Sequence, residues 1–112
     1  MDRAAETVAR NNATFREANE KIRDAAADAP PGLVPFICEC ADPGCTDIVR
    51  LSLRDYEHIR AQPTRFLNAA GHEASAGRHV EVVEQRDGYV VVEKVGEAAA
   101  IVKSLDTRVR PK

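Results

Sequence analysis

Large side chains are scarce in this 112-residue chain, which has no Trp, one Met, two Tyr and three Phe. Leu, Ile, Val and Phe together number 25, and 18 alanines supply much of the 44% hydrophobic content. That share of large apolar residues lies just above the level below which a chain forms no packed core. So few aromatics exclude a large aromatic-lined pocket and a base-stacking platform. A basic excess is missing too: 16 Lys and Arg against 18 Asp and Glu give a net charge of −2, which disfavours sequence-independent nucleic-acid binding. No run approaches the ~18 apolar residues of a bilayer span, and no apolar stretch follows the charged start Met1-Asp2-Arg3. We therefore expect a cytoplasmic, soluble protein with no membrane association. Cysteines number three. An odd number cannot all pair within one chain, and in a reducing compartment a cysteine cluster signals metal or redox chemistry rather than a disulfide framework.

Of the 25 large apolar residues only Val8, Phe15 and Ile22 fall in residues 1–30, which places the core in residues 31–112. Residues 2–28 contain no Gly or Pro and are rich in Ala, Glu, Arg and Lys, which favours a helix ended by Pro30-Pro31-Gly32. Met1, Val8, Phe15 and Ile22 recur every seven residues, with Ala4, Asn11, Ala18 and Ala25 in the next row, a narrow coiled-coil-like stripe. The stripe either docks on the rest of the chain or pairs, through Val8, Phe15 and Ile22, with a second copy or another protein.

Residues 33–38 read as a short edge strand containing Pro35, and residues 47–51 as a second, with a reversal at Asp42-Pro43-Gly44 between them. Ser52, with Asp55 three residues on, caps a helix over residues 53–61. Phe66-Leu67 reads as a short strand and residues 68–78 as a loop. Residues 80–86 and 89–95, joined by Asp87-Gly88, form a hairpin that sets Glu81 opposite Lys94. Ala98, Ile101, Val102 and Leu105 line one face of a last helix, and residues 106–112 read as a frayed polar tail. The expected fold is α+β: a small zinc-stabilised domain with a β-hairpin and short helices over residues 31–106. An N-terminal amphipathic helix (1–30) precedes it and a polar tail (107–112) follows.

Chemistry concentrates in Cys38-Glu39-Cys40-Ala41-Asp42-Pro43-Gly44-Cys45, a C-x-C-x4-C cluster. Residues two apart on an extended segment point the same way, so Cys38 and Cys40 can face one ion, and the Asp-Pro-Gly turn returns Cys45 to it. Three thiolates in eight residues carry a charge that a divalent cation offsets. The expected metal is zinc, and a structural site needs a fourth ligand. His72, in a loop after Gly71, is the choice; His79, His58, a carboxylate or a water are the alternatives.

Phe36-Ile37-Cys38-Glu39-Cys40-Ala41-Asp42-x-x-Cys45, Tyr56-Glu57, Phe66, Gly71-His72-Glu73 and the run from Tyr89 to Lys94 resemble a group of short uncharacterised proteins common in actinobacteria. The resemblance extends from about Asn12 to Lys94 and implies no activity, only that Cys38, Cys40, Cys45 and His72 are the signature. Over eight residues the cysteine spacing is similar to the post-SET zinc segment of histone methyltransferases. A partial resemblance to the CDGSH iron–sulfur family implies a cluster ligated by three Cys and a His, but its His shortly after the third Cys is missing here, with Arg50 in that vicinity.

Four functional readings follow. The first is a non-catalytic protein-interaction or regulatory module whose closed Cys3His site leaves no position for a substrate. The second is a thiol redox sensor in which oxidation of two cysteines ejects zinc and frees the N-terminal helix. The third is a catalytic zinc with Glu39 or Glu73 as base, each more simply a solvated surface residue. The fourth is nucleic-acid binding by Arg3, Arg10, Arg16 and Arg23, disfavoured because acidic residues interleave with them.

Overall fold

The computed structural model describes residues 3–108, so Met1 of the heptad row and residues 109–112 of the expected tail lie outside it. The fold is α+β. In chain order the elements are α1 (Arg3–Ala26), β1 (Leu33–Ile37), β2 (Ile48–Ser52), α2 (Leu53–Arg60), β3 (Arg65–Ala69), a 3-10 helix (His72–His79), β4 (Val80–Arg86), β5 (Tyr89–Lys94) and α3 (Gly96–Ser104). β1 and β2 form a two-stranded antiparallel sheet, and β3, β5 and β4, in that order, a three-stranded one. Among the described residues no helix is long and apolar enough to cross a membrane.

The run Val90-Val91-Val92 sets the layering. β5 is the central strand, its successive side chains face opposite ways, and an unbroken apolar run therefore needs cover on both faces. Tyr89 and Val91 join Leu67 in one buried cluster with Phe36, Val49, Leu51, Tyr56 and Ile59. Val90 and Val92 join Phe66 in a second, closed by Ala9 of α1 and Val102 of α3. In the first cluster the rings of Phe36 and Tyr56 stack with centroids 4.2 Å apart. Cys38 and Cys40 belong to that cluster as well, which places the cysteine segment where the two sheets meet.

α1 docks by a face other than its heptad row. Its buried residues are Ala5, Ala9, Asn12, Ala13, Arg16 and Asn19, while Val8 and Phe15 are half-buried and Ile22 leans on the first apolar cluster. Alanines let the helix approach α3 closely, and Arg16 supplies the anchor. Its guanidinium lies 4.6 Å from the centre of the Phe66 ring and donates to the carbonyls of Pro63 at 2.7 Å and Val102 at 2.9 Å. Of the other arginines of α1, Arg10 pairs with Glu6 at 3.0 Å and Arg23 with Glu57 at 2.9 Å, while Arg16 is wholly buried.

Three local expectations need correction. A bulge between Val82 and Glu84 shifts the hairpin register, so Glu81 faces Glu93 and Val80 faces Lys94. Lys94 is buried, with its Nζ 5.3 Å from the centre of the Phe66 ring. The segment read as a loop over residues 68–78 instead completes β3 and forms the 3-10 helix, kinked at Gly77. Asp106 to Arg108 do not fray: buried Asp106 accepts from Arg60 at 2.7 Å, and Arg108 pairs with Glu20 and Glu57. The sequence misplaces Asp106 because the acceptor of that ion pair lies past the last helix, where sequence pattern gives no sign of burial. The helix after Ser52 forms as expected, with the Asp55 N–H donating to Ser52 Oγ at 3.1 Å.

Candidate metal centre

β1 delivers Cys38 and β2 departs just after Asp47, and the Cys38 N–H donates to the Asp47 carbonyl at 2.9 Å, closing the loop at its base. At the loop tip Cys45 N–H donates to the Asp42 carbonyl at 3.1 Å and Gly44 N–H to Asp42 Oδ1 at 2.9 Å, which folds Cys45 back. The C-x-C segment lies along the outer edge of β3. Glu39 N–H donates to the Leu67 carbonyl at 2.9 Å, Leu67 N–H donates to Glu39 Oε1 at 3.0 Å, and Ala69 N–H donates to Cys38 Sγ at 3.2 Å. An otherwise open sheet edge is thereby paired by one acidic residue and one thiol sulfur.

His72 arrives from the other side. Gly71, at φ +88°, takes the left-handed turn that ends the strand and starts the 3-10 helix. Ser75 ties that helix to the loop, accepting from Ala41 N–H at 3.1 Å and donating to the His72 carbonyl at 2.8 Å. Cys38, Cys40, Cys45 and His72 each offer a ligand atom, and these atoms all lie within 4.8 Å of one another. Nδ1 of His72 sits 3.4 Å from Cys45 Sγ and 3.6 Å from Cys38 Sγ, while its Nε2 faces Asp47 Oδ2 at 3.0 Å. Cys38 and Cys40 are buried, and Cys45 and His72 form the half-buried rim.

The protonation directions suit a cation. Burial pushes the Cys38 thiol well up, with the Ala69 N–H opposing, and burial likewise raises Cys45. Burial also presses upward on Cys40, but hydrogen bonding with His72 and with the backbone of Asp42 outweighs it and lowers the thiol. His72 is raised chiefly by its bond to Cys40, against burial, with Asp47 adding to the effect. Metal binding at such a site displaces protons from its ligands.

The other candidates lie elsewhere. His58 is exposed and faces Glu84 at 3.2 Å, and His79 ends the 3-10 helix, half-buried; neither joins the four-residue cluster. Glu39, read from sequence as solvated, is fully buried. Burial pushes its carboxyl up to about 7, while Asn19, the Leu67 N–H, Arg16 and Arg60 pull the other way. Glu73 is half-buried, and its Oε1 is screened from solvent. The sequence singles out none of Asp47, Asn12 and Asn19, and it places Glu39 in solvent. Asn12 and Asn19 do carry a signal: short amides are poor helix formers, and here they lie seven residues apart, with Arg16 between them and Ala5, Ala9 and Ala13 beside them, on the face that proves to be buried. Comparison of the chain with protein families, curated proteins and solved structures finds no match.

Proposed function

We propose that the protein binds one zinc ion through the thiolates of Cys38, Cys40 and Cys45 and Nδ1 of His72, and acts as a non-catalytic protein-interaction or regulatory module. The observation that carries the reading is the spacing of the ligand atoms. Around a tetrahedral ion with metal–sulfur near 2.3 Å and metal–nitrogen near 2.05 Å, sulfur and nitrogen stand about 3.5 Å apart. The two distances from His72 Nδ1 are 3.4 and 3.6 Å. Soft thiolates with one imidazole suit zinc and suit magnesium or calcium poorly. A two-iron cluster would divide its ligands into two separated pairs, whereas all four atoms here gather around one point.

Four protein ligands leave no coordination position for a substrate, which is why we attach an interaction role to the site rather than catalysis. Glu39 supports this, because its carboxylate is engaged by Leu67 and Asn19 instead of facing an open site. Native mass spectrometry with elemental analysis of the chelator-washed protein tests the reading. One zinc per chain is expected, falling to less than half in Cys40→Ser. Iron with visible colour, or no metal after incubation with zinc, contradicts it.

A further inference from the structure

Residues 37–41, which carry two of the four candidate ligands, form the seat of α1. Asn11 Nδ2 donates to the Ala41 carbonyl at 2.8 Å, and Asn12 Nδ2 donates to the Glu39 carbonyl. Asn19 holds residue 37 on both sides, its Nδ2 donating to the Ile37 carbonyl and its Oδ1 accepting from the Ile37 N–H, both at 2.8 Å. The same Nδ2 reaches Glu39 Oε2 at 2.8 Å. Asn12, Asn19 and Glu39 are all fully buried. No solvent replaces a lost partner at such a place, so each bond is expensive to break and the set behaves as a unit.

Glu39 lies between Cys38 and Cys40, so whatever fixes its backbone fixes the direction of both thiols. Its two sides are held differently: Leu67 takes its N–H and one carboxylate oxygen, and α1 takes its carbonyl and the other oxygen. Side-chain support of this kind behind a ligand typically changes metal affinity by about 10–100-fold when removed.

We infer that Asn12, Asn19 and Glu39 are positioning residues of the metal centre, and that docking of α1 and retention of the metal are one coupled equilibrium. The inference rests on the metal-binding reading above. Coupling between two binding events is reciprocal: what loosens the helix weakens the metal site, and loss of the metal loosens the helix. The amide face of α1 thus becomes the part of the molecule whose exposure reports metal occupancy.

The test measures release of zinc from the full chain to a colorimetric chelator. Asn19→Asp sets a carboxylate against Glu39 and should speed release about tenfold or more. Combining it with Glu39→Gln restores a donor across that contact, although not the bond to the Ile37 carbonyl, and should slow release again about threefold or more relative to Asn19→Asp. Gly88→Ala, which strains the β4–β5 turn at φ +88° and touches neither α1 nor the cysteine segment, serves as the control for stability alone and should leave release unchanged. Should Asn19→Asp fail to fold, Asn11→Ala, half-buried on the same face, should still speed release through the lost Ala41 bond. Hydrogen exchange provides the reciprocal readout, with chelation removing protection from residues 12–19 before residues 89–94.

A release rate unchanged in Asn19→Asp overturns the inference, and so does equal acceleration by Gly88→Ala without rescue by the double variant. In either case zinc binding itself still stands. Failure of the starting protein to take up zinc overturns both the inference and the metal-binding reading beneath it.

Discussion

At the residue scale the centre depends on how His72 is aimed. Its Nδ1 faces the thiols while Nε2–H meets Asp47 Oδ2 at 3.0 Å, so the carboxylate fixes which ring nitrogen keeps its proton and increases the basicity of the other. Asp47→Asn should therefore weaken zinc retention about 10–100-fold, whereas His58→Ala should leave it unchanged, as read by competition with a chelator. Much of this centre was legible in sequence: the three cysteines sit within eight residues, and His72 follows a glycine that frees its direction. Asp47 was not legible, because its part arises only when the loop closes Cys38 onto it. Glu39 misled for a related reason. A carboxylate between two cysteines reads as polar surface until the edge of β3 is seen to need both a donor and an acceptor there.

At the element scale, strands and caps followed local rules, while the helix face and the chain end did not. The pair Asp87-Gly88 and the valine run announce the hairpin, but a bulge has no pattern of its own, and the one at Val82/Glu84 sets Val80 instead of Glu81 opposite Lys94, which shares the buried face of Val90 and Val92. Burial pushes the Lys94 ammonium down to about 7, helped by Arg16 and opposed by Glu39 and Cys40. Because the unfolded chain holds that proton up to the ordinary lysine value of 10.5, it binds more protons than the folded chain between about pH 7 and 10.5, and stability rises with pH across that window. Below about pH 7 both states are protonated and the burial penalty is fully present. Lys94→Met should abolish the rise and stabilise the protein at pH 7 by about 1 kcal/mol or more, measured by urea unfolding across that pH range. The Arg60–Asp106 pair gives the opposite outcome. Both side chains are essentially unexposed, so Asp106→Ala strands a buried guanidinium and should cost about 3 kcal/mol, the low end of such losses because Glu20 remains 3.3 Å away.

At the scale of the whole molecule, four elements converge on the cysteine segment. It ends β1, runs beside β3, receives α1 from above and meets His72 from the 3-10 helix. A chain this short buries a modest fraction of its surface and is marginal on core alone, and a structural zinc contributes on the order of 10 kcal/mol to folding. α+β composition was readable from element order, but the convergence of four elements on residues 37–45 was not, since buried amides and a buried carboxylate leave no hydrophobic periodicity to read. The measurement that bears most directly on this account is X-ray absorption at the zinc edge of the protein loaded with one equivalent of zinc. Three sulfur neighbours near 2.3 Å and one nitrogen near 2.05 Å are expected, with imidazole scattering lost in His72→Ala. A shell dominated by oxygen, or an unchanged shell in His72→Ala, would contradict it.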